Sequence, residues 1–340
     1  MERKKKSVMP DYQPPYTVTD KVVTLIAEIC EALGRMSVLQ SPQELRLRRI
    51  NRIKTVHGSL AIEGNTLTEE QISAIVDGKH VVAPPREIQE VRNAIKVYEL
   101  LPDLAPGVER DLLKAHDVLM TGLLDRPGQY RSKGVGVMGV GGEIKHMAPP
   151  AGLVPAQMKE LFAWLRKTDA HPLVASSVFH YEFEFIHPFE DGNGRIGRLW
   201  QTLILSRWNP LFADLPVESI IHVHQQDYYN ALNRSSSQGA CTPFIEFILE
   251  KILETINTDQ VNDQVSDQVR HLLQVMEQHA YAATELMEEL QLSHRPTFRK
   301  NYLHPALEQG LIEMTVPDKP NSRLQKYRLT AKGRKVKVQV

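Results

Sequence analysis

The stretch HPFEDGNGRIGR, residues 187–198, places a histidine, two acids, glycines and two arginines within twelve positions. Histidine has an ordinary pKa close to neutrality, so His187 is suited to take a proton from a hydroxyl group. A carboxylate such as Asp191 can hold Mg²⁺ against phosphate oxygens. These residue types predict general-base chemistry beside a phosphorylated ligand.

The glycines and arginines of the same stretch favour a polyphosphate ligand. Gly192 and Gly194 allow consecutive backbone N–H groups to face one anion, and the helix that follows would point its positive N-terminus at the same place. Arg195 and Arg198 lie at i and i+3, on one face of that helix. Two forked guanidinium groups beside such a loop are suited to bind phosphates.

Two other interpretations of this region remain open at the level of sequence. In the first, the stretch is a purely structural glycine-rich turn that caps a helix and carries two surface arginines. This interpretation would account for any two of the features, but it accounts less well for all of them together. The other alternative makes His180, Glu184 and His187 ligands of one metal ion. Their spacing is not HExxH, and the phenylalanines between them indicate a core helix.

Most of the chain that must position these residues has helical periodicity. Predicted helices cover 20–36, 44–64, 68–78, 86–101, 108–124, 153–167, 172–186, 195–207, 225–235 and 242–257. One segment, RSKGVGVMGVGGEIKHMAPP at 131–150, instead alternates small and branched residues around Gly-Gly, which predicts a β-hairpin. A hairpin in a helical domain is a candidate flap over a binding site.

The composition changes near the C-terminus. TDQVNDQVSDQV at 258–269 repeats every four residues and is poor in helix formers, which predicts a linker with helical tendency. In 270–340, twelve Lys and Arg residues stand against seven Asp and Glu, a net charge of +5. The order helix, helix, turn, helix, strand, loop, strand predicts a winged helix-turn-helix. Its candidate DNA-binding residues are Arg295, Arg299, Lys300, Lys319 and Arg323.

Composition limits the class of protein. The formal net charge of the whole chain is zero, so no overall field attracts it to nucleic acid or to a membrane. Cys30 and Cys241 form no disulfide framework, as is usual in a reducing compartment. The basic start has no apolar segment after it, and no apolar run reaches the length of a membrane span. We therefore expect a cytoplasmic protein without a membrane partner.

The stretch 187–198 resembles, position for position, the HxFx(D/E)GNGRxxR signature of Fic proteins. The resemblance extends to GQYR…KHMAPP upstream and to QQDYYNAL downstream, so that it covers roughly 60 to 255. Fic proteins transfer AMP from ATP to a hydroxyl side chain of a target protein. The resemblance implies a mainly α fold, a Fic-type helical bundle with a β-hairpin flap, followed here by a small winged helix-turn-helix domain.

The resemblance also implies roles for individual residues. His187 would deprotonate the target hydroxyl, and Asp191 would carry Mg²⁺. Tyr229, with Tyr228, would line the adenine side, although a simple core role explains these rings equally well. The ATP-binding residues it implies are Gly192, Asn193, Gly194, Arg195, Ile196, Gly197 and Arg198. The flap residues Val135, Val137 and Met138 would hold the target segment by strand addition.

A second Fic feature lies far upstream. SLAIEG at 59–64 matches the inhibitory motif (S/T)xxxE(G/N), with Ser59, Glu63 and Gly64 at its defined positions. The resemblance implies that Glu63 pairs with Arg198, so that ATP binds in an unproductive pose. The alternative is a surface glutamate at the end of a helix.

These inferences predict four segments: an N-terminal helical region with the inhibitory motif (1–85), a Fic catalytic domain (86–257), a linker (258–269) and the winged-helix domain (270–340). The expected function is a self-inhibited protein adenylyltransferase that modifies Ser, Thr or Tyr of targets and of itself. The alternatives are AMP removal or phosphotransfer in the same pocket, and an ATP-sensing DNA-binding regulator. A homodimer and DNA binding stay open.

Overall fold

Apolar residues at helical spacing build most of the chain, as the sequence predicts. The computed structural model describes residues 12–38, 44–138, 144–264, 267–277, 279–319, 322 and 324–339. The chain divides into two compact units, Met1–Ile256 and Asn257–Val340, and each has its own apolar core. No helix in these ranges is long and apolar enough to cross a membrane.

The first unit is helical apart from one hairpin. Its α-helices are α1 (Asp20–Val38), α2 (Glu44–Ala61), α3 (Glu69–Val76), α4 (Pro85–Glu99), α5 (Glu109–Met120), α6 (Val154–Lys167), α7 (Pro172–Ile186), α8 (Asn193–Trp208), α9 (Val217–Val223), α10 (Gln225–Gln238) and α11 (Thr242–Gln264). Short 3₁₀ turns cover Leu101–Asp103, Ala151–Leu153 and Pro210–Ala213. The mainly helical fold is confirmed; α9, too short to show a period, was not predicted.

Helices α7 and α8 lie at the centre of this unit. Most side chains of α7 are buried on all sides of the helix, which is the pattern of a helix surrounded by others. Pro188 disfavours the right-handed helical conformation at the residue before it, so α7 ends there. The two central helices are therefore joined by the short loop 188–192, which brings His187 at the end of α7 close in sequence to the candidate residues at the start of α8.

Helix α2 is held tightly against α9. A Cβ atom added at Gly58 would lie only 2.6 Å from the backbone nitrogen of Ser219, so the two backbones pack closer than any side chain would allow. The helix ends at Ala61, and a turn closes at Gly64, where φ is +89°. This packing fixes the position of Glu63 relative to the rest of the unit.

The predicted hairpin is present. Strand β1 (Gly136–Met138) pairs antiparallel with β2 (Ile144–Met147), and the register shifts between Val137 and Met138. Residues 139–143 at its tip lie outside the described residues.

The second unit follows the predicted order with two additions. It contains α12 (Asp267–Val275), α13 (Ala283–Glu289), α14 (Arg295–Phe298), a π-helical turn (Arg299–Leu303) and α15 (His304–Glu308). Strands β3 (Tyr281–Ala282), β4 (Ile312–Met314) and β5 (Lys326–Leu329) form an antiparallel sheet in the order β3-β5-β4, and α16 (Ala331–Gln339) follows. Strand β3 and helix α16 were not predicted, and α11 continues through 258–264 of the predicted linker. The winged-helix assignment stays a prediction.

Candidate active site

His187 stands at the point where α7 ends. Its backbone is left-handed, with φ 49° and ψ 63°, which is uncommon for a residue other than glycine. The side chain is 19 % exposed, and its Nδ1 atom is buried. The ring therefore presents its Nε2 side as the part that can meet a substrate.

Arg131 fixes this unusual backbone. The guanidinium group is buried and donates from Nε to the carbonyl oxygen of His187 at 2.7 Å and from Nη2 to that of Ile186 at 3.3 Å. It also donates to the carbonyl oxygens of Lys133 and Pro149 at 2.9 and 2.6 Å, on the two sides of the hairpin. One side chain thus ties the base of the flap to the loop that carries His187.

The loop after His187 is closed by two polar side chains. Asn193 accepts a hydrogen bond from the Phe189 N–H and donates one to the Phe189 carbonyl oxygen, both at 2.9 Å. His116 lies 3.0 Å from the Asp191 carbonyl oxygen through Nε2, and its Nδ1 accepts from the Gly128 N–H. Burial lowers the pKa of His116 to about 4, so its neutral ring orders the loop.

The start of α8 has the geometry expected of an anion site. Gly192 has φ +83°, and a Cβ atom there would lie 2.8 Å from Met120 Sδ, so this position requires glycine. The first helical hydrogen bond runs from the Ile196 N–H to the Gly192 carbonyl oxygen. The N–H groups of residues 193–195 precede this bond, so they have no partner within the helix. A Cβ atom at Gly194 would collide with Glu63 Oε1, so a carboxylate already lies against this helix start.

Two other residues of this helix have less access to a ligand. Ile196 is fully buried, and Gly197 faces α7, where a Cβ atom would lie 2.7 Å from Glu184 Oε1. The side chain of Asn193 is already bonded on both polar atoms. If Asn193, Ile196 or Gly197 binds phosphate, it can do so only through its backbone.

Arg198 is buried and held by the motif at 59–64. It donates from Nη2 to Glu63 Oε1 at 2.7 Å and to the Ser59 carbonyl oxygen at 2.9 Å, and from Nε to Ser59 Oγ at 3.3 Å. Burial lowers the pKa of Arg198, but Glu63, with smaller contributions from Tyr228 and Glu184, raises it, so the pKa lies above its ordinary value. The pair expected from the sequence is thus formed across 135 positions of chain.

Arg195 is paired on the other side of the site. Its Nη2 donates to Asp191 Oδ1 at 2.8 Å, and its Nη1 lies 3.7 Å from Glu90 Oε1. Arg86 of α4 lies 3.3 Å from Asp191 Oδ2 and 3.4 Å from the same Glu90 oxygen. Glu90 also accepts a hydrogen bond from Asn65, two positions after Glu63.

Asp191 fits a magnesium site of the kind completed by substrate. Its side chain is 38 % exposed, and Mg²⁺ commonly takes one or two carboxylates, waters and phosphate oxygens. In the described ranges, no group of three His, Cys, Asp or Glu side chains could hold a metal by itself. Any Mg²⁺ here would therefore be held by Asp191 together with phosphates of the nucleotide.

The alternative metal site of His180, Glu184 and His187 is wrong. His180 is fully buried, and its two ring nitrogens lie 2.7 Å from Gln201 Oε1 and 3.1 Å from the Tyr228 hydroxyl. Burial lowers its pKa to about 3. His180 is a satisfied core histidine, and Tyr228 is a core residue with it. Tyr229 is half-buried, so its adenine-side role stays a prediction.

Comparison with known proteins places this site in a family. Residues 106–205 match the model of the Fic/DOC family, and residues 267–330 match that of the Filamentation induced by cAMP protein Fic-like, C-terminal domain. A crystal structure of a Fic family protein from Desulfovibrio desulfuricans G20 is similar with a TM-score of 0.71 and 54% identity, over 95% of this chain and 99% of that chain. The chain belongs to the Fic family.

Curated relatives of this Fic protein match part of their length. Protein adenylyltransferase Fic from Nematostella vectensis is 30% identical over 208 residues, which are 57% of this chain and 45% of that protein. Protein adenylyltransferase fic-1 from Caenorhabditis elegans is 29% identical over 216 residues, 60% of this chain and 40% of that protein. The chain thus spans less than half the length of these relatives. A structure of Fic-1 from C. elegans, 23% identical over 69% of this chain and 70% of that chain with a TM-score of 0.59, shares the fold.

Three residues outside the Fic signature contact residues of the signature and were not predicted as site residues: Arg131, His116 and Glu90. Arg131 directly follows GQY, in the segment that resembles the Fic flap. Its position just before the predicted hairpin could have indicated that it takes part in the site. His116 lies among apolar residues of α5 and shows no signal of a functional role. Glu90 falls on an ordinary charged face of α4.

Proposed function

We propose that this Fic protein is a self-inhibited protein adenylyltransferase that transfers AMP from ATP to a Ser, Thr or Tyr hydroxyl of a target protein and of itself. The observation that carries the proposal is the placement of His187 at the end of α7, directly joined by 188–192 to a glycine-rich helix start with two buried arginines. A base at the end of α7, with an anion site and two cations at the start of α8, suits transfer of a phosphoryl-linked group to a hydroxyl. The name of the similar proteins, protein adenylyltransferase, agrees with it.

In this proposal the chain's residues divide the reaction among them. Nε2 of His187 takes the proton of the target hydroxyl, and the oxygen forms a bond to the α-phosphorus of ATP. The bond from that phosphorus to the oxygen bridging to the β-phosphate breaks, and pyrophosphate leaves. Arg195, Arg198 and the N–H groups of 193–195 bind the phosphates. Mg²⁺ held by Asp191 would supply positive charge next to the pyrophosphate.

The inhibition in this proposal rests on Glu63. Arg198 cannot bind the γ-phosphate while it donates to Glu63 Oε1, and the carboxylate lies against the helix start that would receive phosphates. The flap residues Val135, Val137 and Met138 would present the target hydroxyl to His187, since an unpaired strand edge accepts an extended peptide with little demand on its sequence.

The test uses ATP labelled with ³²P at the α- or the γ-position. We expect label retained on protein only from the α-position, with the Glu63→Gly variant run in parallel so that inhibition is not mistaken for inactivity. Label from the γ-position would instead establish phosphotransfer. No label from either form in both proteins would refute the proposal.

AMP removal is a second candidate function. The Glu63 side chain is 34 % exposed at the edge of the anion site, where a carboxylate could hold a water molecule for hydrolysis. Release of AMP from a protein modified beforehand by the Glu63→Gly variant would support it, and only wild type should show that release.

The second unit has a separate proposed role in binding DNA. Arg295, Lys300 and Lys319 are exposed and Arg299 is half-buried, whereas Arg323 lies outside the described residues. A net charge of +5 gives modest phosphate affinity, so a gel shift of the full chain at low salt is the sensitive test. The homodimer stays a prediction, as does the cytoplasmic location, with which the free thiols of Cys30 and Cys241 agree.

A further inference from the structure

Glu184 is a buried carboxyl group that the proposed mechanism does not use. It lies in the last turn of α7, three positions before His187, with a side chain only 12 % exposed. Its Oε1 atom is buried and has no hydrogen-bond partner among the described residues. Because it is costly to bury a carboxyl group, the retention of Glu184 in this place calls for a reason.

The carboxyl group lies between His187 and the N-terminal part of α8. Glu184 Oε2 is 4.0 Å from His187 Nδ1, and Oε1 is 3.9 Å from His180 Nε2. A Cβ atom at Gly197 would lie 2.7 Å from Oε1, so the carboxyl group has room only because glycine stands there. His180 is already bonded to Gln201 and Tyr228, which leaves His187 as the ring that Glu184 can serve.

We propose that Glu184 is a positioning residue for His187: Oε2 accepts the hydrogen bond of the Nδ1–H group, which leaves Nε2 unprotonated to accept the proton of the hydroxyl. This inference rests on the proposed function for its catalytic consequence, but not for the pairing itself. At 4.0 Å the two atoms are beyond hydrogen-bond distance, so they must approach by about 1 Å to form the bond. Hydrogen bonds of catalytic groups often shorten in this way only in the complex with substrate.

The charge of Glu184 depends on the groups around it. Burial raises its pKa to about 8, Arg198 opposes this rise, and Glu63 adds to it. The other titratable groups that face it are His180 and His187 beside it on α7, and Tyr228 and Tyr229 of α10. Because its pKa is raised, Glu184 loses its proton only as the pH rises toward about 8. Its support of a protonated His187 ring is therefore strongest above that pH.

The first test is an NMR titration of the His187 ring in the full chain without ATP, with the His187→Asn variant for assignment. Because Glu184 ionises only as the pH rises toward about 8, the signals of the His187 ring should show a second change in that pH range when the carboxyl group loses its proton. We expect Glu184→Gln to remove this second change. The matched control is Glu182→Gln, a buried carboxyl group on the same helix that accepts from the Tyr12 hydroxyl at 2.6 Å, and it should leave the ring titration unchanged.

The second test measures AMP transfer in the Glu63→Gly background. Glu184→Gln should lower kcat roughly tenfold or more, which is less than loss of the base itself, and keep the KM for ATP. It should also remove the rise of rate with pH that belongs to Glu184. An unchanged ring titration, or equal effects of Glu182→Gln and Glu184→Gln, would overturn the pairing. If the background protein transfers no AMP, the proposed function fails, and the ring titration still decides the role of Glu184.

Discussion

Replacing Glu63 by glycine should activate transfer. Three hydrogen bonds hold Arg198 to the motif at 59–64, and only the one to Glu63 Oε1, at 2.7 Å, is between charged groups. A hydrogen bond to a charged group contributes about 1.5–3 kcal/mol. Glu63 is about one third exposed, which favours the lower end of that range because solvent screens the pair. Since each 1.4 kcal/mol is tenfold, the productively bound fraction should rise roughly tenfold, with about a hundredfold as the upper limit.

The assay is incorporation of label from α-³²P ATP into the protein itself and into added targets. Glycine should be tolerated at position 63, because α2 has ended at Ala61 and the chain turns at Gly64. Glu63→Gln distinguishes the effect of the charge from the effect of the side chain's volume, because it removes the ion pair but still fills the space against Gly194. Glu63→Gly combined with Arg198→Ala should fall back to low activity, because the freed clamp is then missing. A Glu63→Gly protein no more active than wild type would show that the contact is not inhibitory.

The remaining predictions concern the base, the metal carboxylate and the second unit. His187→Ala should reduce transfer by about 10²–10⁴ with ATP binding nearly intact, because the ring acts on the hydroxyl and not on the phosphates; unchanged labelling would exclude it as the base. Asp191→Ala should abolish Mg²⁺-dependent activity, with Asp191→Asn as a control of similar shape; an unchanged Mg²⁺ titration would make the carboxylate structural and leave Glu190 as the next candidate. A protein that ends at Gln264, the last residue of α11, should fold and modify itself; a soluble but inactive product would make the second unit part of the active assembly.

The parts of the site that were predictable lie close together in sequence. His187, Asp191 and the glycines lie within eleven consecutive positions, 187–197, so residue types and spacing were enough to infer a base beside an anion site. The Glu63–Arg198 pair joins residues 135 positions apart, and only the resemblance to Fic proteins indicated it. Spacing alone carries no information about contacts over such distances.

The parts that were missed depend on backbone geometry. Arg131 and His116 bind carbonyl oxygens of the loop, and no sequence pattern reports which carbonyl groups a fold leaves without a helical partner. Asn193 was expected to bind ATP, which stays a prediction; that its side chain closes the loop on Phe189 was not foreseen. The short elements α9 and β3 were missed because seven and two residues are too few to show a period.

Both arginines of the signature have their charges paired inside the chain, but by different kinds of partner. Arg198 is held by Glu63 and Ser59, which lie on a segment that no phosphate or metal needs. Arg195 is held by Asp191, the same carboxylate that Mg²⁺ would take together with ATP. In the proposed function, Mg²⁺ taken by Asp191 would thus loosen the hold of this carboxylate on Arg195, which would still lie near Glu90, whereas the partner of Arg198 is not a proposed metal ligand. In the proposed function, the contact between Glu63 and Arg198 is therefore the one that binding of Mg²⁺ by Asp191 would not release.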